Sequence, residues 1–439
     1  MRILGVLFVV LIAALPARAE VKIQEVVSPG GITAWLVEEP SIPFMALELR
    51  FRGGGSLDRS GKRGALNLMT GLLEEGAGDL DSRSFARTLE ELAASFGYDL
   101  GSDALSISAQ FLTENRDDAI RLLRSSIIDP SFNAPDVERV RAQVLAGLRS
   151  DTTSPNDISS KAFNAMAFGD HPYGSSLSGT TESVMALTRD DLVAAHGDIF
   201  AKDRLFAGAV GDITPTELGL LLDQLLGDLP DNGAPQPQDA DVTIEGGVTV
   251  IEFDTPQSVA LFGHKGIGLD DPDYFPANVL NQVLGGGSFE SRLMNEVREK
   301  RGLTYGVSSF LVPRDHAATY QGQVASANDR IAEAISVIRD EWSKASENGV
   351  TPDELRDAKT YITGAYPLRF DGNGPIARIM VGMQMIGLPI DYIATRNEKV
   401  DAVTMEDVKR VAGELLDADG LHFVVVGKPE GLTTGPLPE

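Results

Sequence analysis

Cysteine is absent from this sequence of 439 residues, and basic residues are scarce. Without cysteine, the chain can form no disulfide, no thiolate-bound zinc or iron–sulfur centre and no cysteine nucleophile. Its 38 Lys and Arg residues stand against 64 Asp and Glu residues, which gives a formal net charge of −26. Because phosphate groups are bound by clustered cations, this charge argues against a general nucleic-acid or anionic-membrane binder.

Histidine is also rare, and none occurs before residue 171. The five histidines are His171, His196, His264, His316 and His422. No two of them lie within five residues of each other, so no helix can present two imidazoles on adjacent turns as helical zinc motifs do. The first 170 residues therefore contain no imidazole ligand for a metal.

Long apolar runs are missing as well. The apolar run near the N-terminus covers 13 residues, 3–15, which is shorter than the ~20 residues of a membrane-spanning helix. Arg2 precedes this run and Ala17-Arg18-Ala19 follows it as a small-residue cleavage signal. The sequence therefore predicts a cleaved signal peptide over residues 1–19, no stable membrane anchor, and a periplasmic or secreted protein.

The rest of the composition is that of an ordinary globular protein, with 43% hydrophobic and 23% charged residues. Residues 229–242, LPDNGAPQPQDADV, are rich in Pro, Gly, Asn and Asp and have no apolar periodicity, which is typical of a linker. We therefore predict a first domain over residues 20–228 and a second domain over residues 243–439.

An internal repeat relates the two predicted domains. Residues 188–211 match residues 404–427 at a constant offset of 216, without a gap. Each copy has a Thr at a helix N-cap position, an amphipathic helix and a β-branched strand that ends in Gly. The pattern indicates a duplication, and hence two tandem domains.

Predicted strands open each domain, over 32–38 and 45–52 and again over 249–253 and 258–263. Helices are predicted to follow at 63–75, 82–96, 114–128, 136–150, 273–284, 288–301, 329–348 and 351–366. Strands followed by runs of helices favour the α+β class, with an antiparallel sheet packed against helices in each of the two homologous domains.

Several segments together resemble the pitrilysin/insulinase superfamily of zinc peptidases, especially the two-domain branch that includes mitochondrial processing peptidase. Residues 171–213, which begin HPYGSSLSGT, are similar to a stretch of that family's first domain, and SRLMNEVREKRGLTYGVSS at 291–309 is similar to its second-domain signature. GGGSLD and KRGALNLMTGLLEEGAG, within residues 53–78, lie where the family has its turn and its catalytic helix. The resemblance implies a processing-peptidase-like fold.

The catalytic helix is where this chain departs from the family. Active members carry H-x-x-E-H, in which two His bind zinc and the Glu polarises the zinc-bound water. The matching positions here are Asn67, Thr70 and Gly71, and the downstream stretch 140–148 contains no acidic residue. The resemblance therefore implies that this chain binds no zinc, needs no cofactor of its own and has no peptidase activity alone.

The second-domain signature keeps two chemically competent residues. Arg298 and Tyr305 match the family's Arg-x6-Tyr pair, which contacts the substrate backbone near the scissile bond. A guanidinium and a phenol can both donate hydrogen bonds to a carbonyl or an oxyanion. Without the resemblance, Arg298 would be interpreted as an exposed helix cation and Tyr305 as a half-buried strand aromatic. Gly285, Gly286 and Gly287 loosely resemble the glycine-rich loop of non-catalytic subunits, although a plain helix connection explains them equally well.

The resemblance implies a heterodimer in which this chain is the non-catalytic, peptide-binding subunit and its partner carries zinc. Two alternatives remain open at this point. The chain could be a proteolytically inactive scaffold of the same fold, pairing with itself or with other proteins. It could also be a hydrolase with a relocated active site.

Overall fold

A computed structural model describes residues 22–287 and 289–435. The predicted signal peptide, residues 1–19, lies outside the described residues. We refer to residues 22–228 as the first half of the chain and to residues 243–435 as the second half.

The first half contains eight helices and eight strands in the described region. In chain order they are β1 (Gln24–Val27), β2 (Thr33–Glu38), β3 (Phe44–Arg52), α1 (Ala65–Thr70), β4 (Gly76–Ala77), β5 (Leu80–Asp81), α2 (Ser82–Glu91), β6 (Ser95–Leu100), β7 (Ala104–Leu112), α3 (Arg116–Ile128), α4 (Ala134–Asp151), α5 (Pro155–Phe168), α6 (Thr181–Ala186), α7 (Arg189–Ile199), β8 (Leu205–Gly211) and α8 (Pro215–Leu226).

The second half repeats this succession of strands and helices. In chain order it has β9 (Gly247–Glu252), β10 (Gln257–Lys265), α9 (Tyr274–Leu284), a π-helical segment (Met294–Glu299), β11 (Thr304–Pro313), β12 (Ala318–Ala327), α10 (Ile331–Asn348), α11 (Pro352–Ala365), α12 (Asn373–Met385), α13 (Tyr392–Ala402), α14 (Met405–Leu415) and β13 (His422–Gly427).

Each half builds one large sheet, and the two large sheets share a strand order, while β4 and β5 form a separate two-stranded sheet in the first half. The first sheet runs β1-β2-β8-β3-β7-β6, and the second runs β9-β13-β10-β12-β11. In both, the last strand of the half lies between the first two long strands, parallel to one and antiparallel to the other. The α+β architecture of sheets packed with helices is therefore confirmed. However, each sheet contains one parallel pair, because its last strand arrives after a long helical crossover.

The repeated segments fold alike. Thr188 and Thr404 cap α7 and α14 by accepting from the backbone N–H of Asp191 and Asp407, at 3.3 and 3.1 Å. Each Asp in turn accepts from the backbone N–H of its Thr, so both helices begin with a reciprocal capping box. The helices begin at 189 and 405, which preserves the offset of 405 − 189 = 216.

One face of each sheet carries a large apolar core. Alternate residues of β3 point to the same side of the sheet, and Leu47, Leu49 and Phe51 are buried there against α1, α3 and α7 residues. In the second half, Phe262 of β10 packs edge-on against the fully buried Trp342 of α10, with ring centroids 5.8 Å apart. These two cores hold the functional segments in place.

The opposite face of each sheet is covered by a helix from the other half. Helix α12 lies on β3 and β8, and helix α5 lies on β10 and β13. The buried side chains of the two contacts are Met380 and Met383 against Trp35 and Val210, and Phe163 and Phe168 against Leu261 and Val424. Each large apolar side chain buried this way contributes about 1.5–3 kcal/mol, so the two halves are joined by a reciprocal exchange of helices.

Three predicted helices differ from those observed. Helix α1 ends at Thr70 instead of residue 75, and α2 ends at Glu91, after which Ala93 takes a positive φ of 47° and strand β6 begins. Of the predicted helix over 288–301, residues 292–299 are helical, and Met294–Glu299 form a π-helical segment. No helix in the described part of the chain is long and apolar enough to cross a membrane.

Candidate functional site

Helix α1 occupies the place of the family's zinc helix and is firmly anchored. The buried carboxylate of Asp58 accepts from the backbone N–H groups of Gly64 and Leu66, at 2.7 and 2.9 Å. Gly64 takes the left-handed conformation, with φ 93°, where the chain enters the helix. Leu66, Leu68 and Met69 are fully buried in the first core. The helix is thus retained as a structural element.

The three positions of the lost zinc motif offer no competent ligand. Asn67 is half-buried, and Thr70 is buried with its hydroxyl donating to the carbonyl of Leu66 at 2.8 Å. Gly71 follows the end of the helix, and a Cβ added there would lie 3.0 Å from Cγ1 of Val140 on α4. Zinc prefers imidazole, thiolate and carboxylate ligands, so these residues do not fit a zinc ion.

Helix α4 closes this region with apolar and ion-paired side chains. Val140 is buried against α1, and Val144 packs against the same core. Arg139 holds the carboxylate of Glu75 through two hydrogen bonds of 2.7 and 2.6 Å. This guanidinium lowers the pKa of Glu75, whereas burial raises the pKa of the neighbouring Glu74. Nowhere in residues 22–287 and 289–435 do three or more His, Cys, Asp or Glu side chains group as a metal would require.

Arg298 lies in the π-helical turn of the second half. Leu293 and Val297 of this segment are fully buried and fix it to the second core. The backbone N–H of Gly302 donates to the carbonyl of Arg298 at 2.7 Å, and Gly302 takes a φ of 61° where the segment ends. The wider turn leaves the Arg298 side chain about one-third exposed, at 33%. Single π-helical turns are frequent at functional sites.

Tyr305 follows at the start of strand β11, where the pairing with β12 is irregular between Thr304 and Val307. The Thr304 hydroxyl donates to the carbonyl of Ala325 at 2.6 Å and accepts from the backbone N–H of Gly306 at 3.0 Å, which stabilises the irregularity. The Tyr305 side chain is 86% exposed. A half-buried strand aromatic, the alternative interpretation from sequence, does not match this exposure. Bulges of this kind redirect side chains.

Phe289 is a neighbour of Arg298 that the sequence analysis missed. Its ring is 71% exposed, and the Arg298 guanidinium lies over it with Cζ 5.0 Å from the ring centroid. Glu299 contacts the same guanidinium, with its Oε1 3.4 Å from Nε of Arg298. The available signal was an aromatic residue in a polar stretch, two positions after the last residue of a glycine run.

The glycine triplet connects α9 to this region and is tightly packed. A Cβ on Gly285 would lie 2.5 Å from Oγ of Ser309, and one on Gly286 would lie 2.7 Å from Cα of Gln282. Gly287 takes a φ of 82°. The backbone N–H of Ser309 donates to the carbonyl of Gly285 at 2.7 Å. The triplet therefore pins the end of α9 to β11, the strand that carries Tyr305.

The chain is similar in sequence to known proteins. Residues 186–362 match the family model described as the peptidase M16 inactive domain. The chain is 28% identical over 394 residues to a protein of Helicobacter pylori named non-peptidase homolog YmxG, covering 89% of this chain and 90% of that protein. It is 26% identical to an uncharacterized zinc protease of Mycobacterium leprae, covering 89% of this chain and 88% of the relative.

Two solved structures share the fold. The M16 inactive domain of Pseudomonas fluorescens superposes with a TM-score of 0.87 at 29% identity, covering 95% of this chain and all of that chain. A protease of Helicobacter pylori superposes with a TM-score of 0.84 at 16% identity, covering 92% and 99%, and its likeness concerns the fold alone. These matches confirm the resemblance to pitrilysin/insulinase-type peptidases, and they include proteins named as inactive or non-peptidase as well as proteins named as proteases.

Proposed function

We propose that this chain, an inactive homologue of the M16-family peptidases, is the substrate-binding subunit of a heterodimeric zinc metallopeptidase that degrades or processes peptides. One contrast carries the proposal. The region of the lost zinc motif has no ligand to offer a metal, whereas Arg298 and Tyr305 keep exposed donors at the positions of the family's substrate-contacting pair. A chain built this way supplies half of an active site.

Arg298 and Tyr305 would contribute binding and electrostatic stabilisation. The guanidinium carries N–H donors along its edge, and the phenol carries one O–H donor. Directed at the carbonyl next to the scissile bond, such donors gain strength as that oxygen becomes an oxyanion, and one such donor is worth about 3 kcal/mol in rate. The hydrolytic water would be activated by zinc in the partner, since nothing in the described part of this chain fits the metal.

The proposed setting is the periplasm, or outside the cell, as the predicted signal peptide suggests. The proposed substrates are small or unfolded peptides enclosed between the two subunits. The net charge of −26 would favour the approach of basic peptides over acidic ones, because long-range electrostatic attraction raises association rates.

Reconstitution tests this proposal. The chain is purified alone and mixed with an M16 protein of the same organism that carries H-x-x-E-H, and cleavage of an unfolded peptide is followed. We expect activity to need both chains, and Arg298→Ala to lower kcat by about a hundredfold or more. Tyr305→Phe should cost roughly tenfold.

Arg301→Ala is the matched control, because Arg301 is an exposed arginine three residues away that pairs with Glu296 at 2.7 Å. It removes the same charge and should leave activity within about twofold, as expected for an exposed ion pair. The proposal fails if the chain leaves its partner's activity unchanged, or if Arg298→Ala and Arg301→Ala have equal effects.

The name of the Helicobacter pylori relative, a non-peptidase homolog, favours a second candidate, an inactive scaffold of the same fold. In that case the chain would form a complex in which no cleavage depends on Arg298. Zinc bound stoichiometrically to the chain alone, or cleavage by the chain alone that a chelator abolishes, would instead support a relocated active site.

A further inference from the structure

We propose that Phe289 is a positioning residue for Arg298: the guanidinium lies over its ring, and this contact holds the cation in place for the substrate. This inference rests on the proposed function of Arg298. It goes beyond that function because it assigns a role to a residue that the Arg-x6-Tyr motif does not contain.

The contact geometry is the first argument. Cζ of Arg298 lies 5.0 Å from the Phe289 ring centroid, within the ~6 Å range of a cation–π interaction. An arginine side chain carries about 2 kcal/mol of rotamer entropy, and Arg298 extends from the helical segment into a partly exposed position. The contact with the ring limits that freedom before the substrate arrives.

The contact with the ring leaves donors available to the substrate. A guanidinium carries five N–H donors. The attraction of its charge to the ring uses no oxygen acceptor, so donors remain for a substrate carbonyl. Glu299 acts differently, since its Oε1 approaches Nε at 3.4 Å and competes for a donor. Exposed ion pairs of this kind contribute about 1 kcal/mol or less, so a substrate carbonyl can displace the carboxylate and leave the ring contact intact.

The backbone on both sides of Phe289 is anchored, which an exposed positioning residue needs. On one side, Gly285 is pinned to Ser309 of β11. On the other side, Ser291 is buried and its carbonyl accepts from the backbone N–H of Asn295 at 3.0 Å. Arg292 then forms two 2.7 Å hydrogen bonds to Glu354 of α11. The ring is therefore exposed on a short segment fixed at each end.

The experiment measures kcat and KM of the reconstituted heterodimer with Phe289→Leu and Phe289→Tyr. Leucine keeps apolar bulk but has no π face, so kcat should fall about two- to fivefold, the size of an exposed cation–π interaction. Tyrosine keeps the ring and should recover the loss. Tyr361→Leu is the control for removing an exposed aromatic, since Tyr361 lies on α11 and is 55% exposed.

A double-mutant cycle with Arg298→Ala separates positioning from other roles. If Phe289 acts through Arg298, adding Phe289→Leu to Arg298→Ala should change kcat no further. An equal loss in both backgrounds would show that the ring contacts the substrate by itself, and no loss in either would show that the ring does nothing; both results overturn the inference. If Arg298→Ala itself has no effect, the proposed function fails, which is a distinguishable outcome.

Discussion

Helix α1 and the segment around Arg298 differ in how far their side chains are buried. Helix α1 has no zinc ligand at the positions that the resemblance aligns with H-x-x-E-H, but its Leu66, Leu68 and Met69 are fully buried. The segment around Arg298 presents exposed side chains, Phe289 at 71% and Tyr305 at 86%. The difference shows that helix α1 has a structural role of its own, because it forms part of the hydrophobic core.

The largest effect that tests this comparison concerns stability. Leu68→Ala leaves a cavity in a fully buried position and should lower the free energy of unfolding by about 2–5 kcal/mol. Tyr305→Ala should change it by no more than about 0.5 kcal/mol, because an exposed side chain gives up little packing. Urea unfolding of both variants measures the contrast. Equal losses of stability in the two variants would contradict the contrast between a buried helix α1 and an exposed Tyr305.

A smaller effect is expected from rebuilding the zinc motif. The triple variant Asn67→His, Thr70→Glu, Gly71→His should bind no stoichiometric zinc, because residues 140–148 of α4, whose Val140 and Val144 pack in the first core, include no carboxylate to act as a third ligand. It should also be less stable by about 1–3 kcal/mol, since Glu replaces a buried Thr and a side chain at position 71 crowds Val140.

Metal analysis of the purified triple variant, with Asn67→His alone as its control, checks this prediction. Asn67 is half-buried, so the single change should alter stability by about 0.5 kcal/mol or less. One zinc ion per chain in the triple variant would contradict the prediction, because it would show that these three substitutions are sufficient to create a zinc site in this region.

The smallest effect concerns the pH dependence of the free energy of unfolding, to which buried histidines in both halves contribute. Burial lowers the pKa of His196 in the first half and of His264 in the second. A histidine whose folded pKa lies below its unfolded value of about 6.5 stabilises the fold above that value. Its contribution is lost as the pH falls below it.

The free energy of unfolding should therefore decrease between about pH 6.5 and 5. His264 Nε2 accepts from Nε1 of Trp342 at 3.0 Å, so His264→Gln can keep the acceptor without the titration. Urea unfolding at several pH values should give a smaller pH dependence for this variant than for the unchanged chain. An equal dependence would remove His264 from the explanation.

Much of the fold could be predicted from local sequence patterns. The repeat at an offset of 216 correctly located α7 and α14 with their Thr caps, because capping and amphipathic periodicity are local properties. The insertion of β8 and β13 between earlier strands could not be predicted in this way. Nor could the exchange of α5 and α12, because strand order and helix docking depend on contacts between distant residues.

The candidate site also has features that residue identity predicts and features that depend on distant contacts. The absence of zinc ligands at positions 67, 70 and 71 could be predicted because it depends on residue identity alone. The π-helical turn, the irregular β11 pairing and the contact of Phe289 with Arg298 could not be predicted from local patterns. Residues 288–301 have an ordinary helical pattern, and the burial of Leu293 and Val297 in the second core involves residues distant in sequence.

The exchange of α5 and α12 constrains how the gene itself can be rearranged. A fragment that ends near residue 228 would leave the apolar sheet face that α12 covers exposed, and its own helix α5 would have no sheet to pack against. The remaining fragment would likewise have an uncovered sheet face, and its helix α12 would have no sheet to pack against. Neither fragment could be deleted or recombined independently during evolution without exposing an apolar surface that promotes aggregation. The two fragments could still assemble if they were synthesised together. The chain can therefore be divided into two fragments that bind each other, but not into two domains that fold independently.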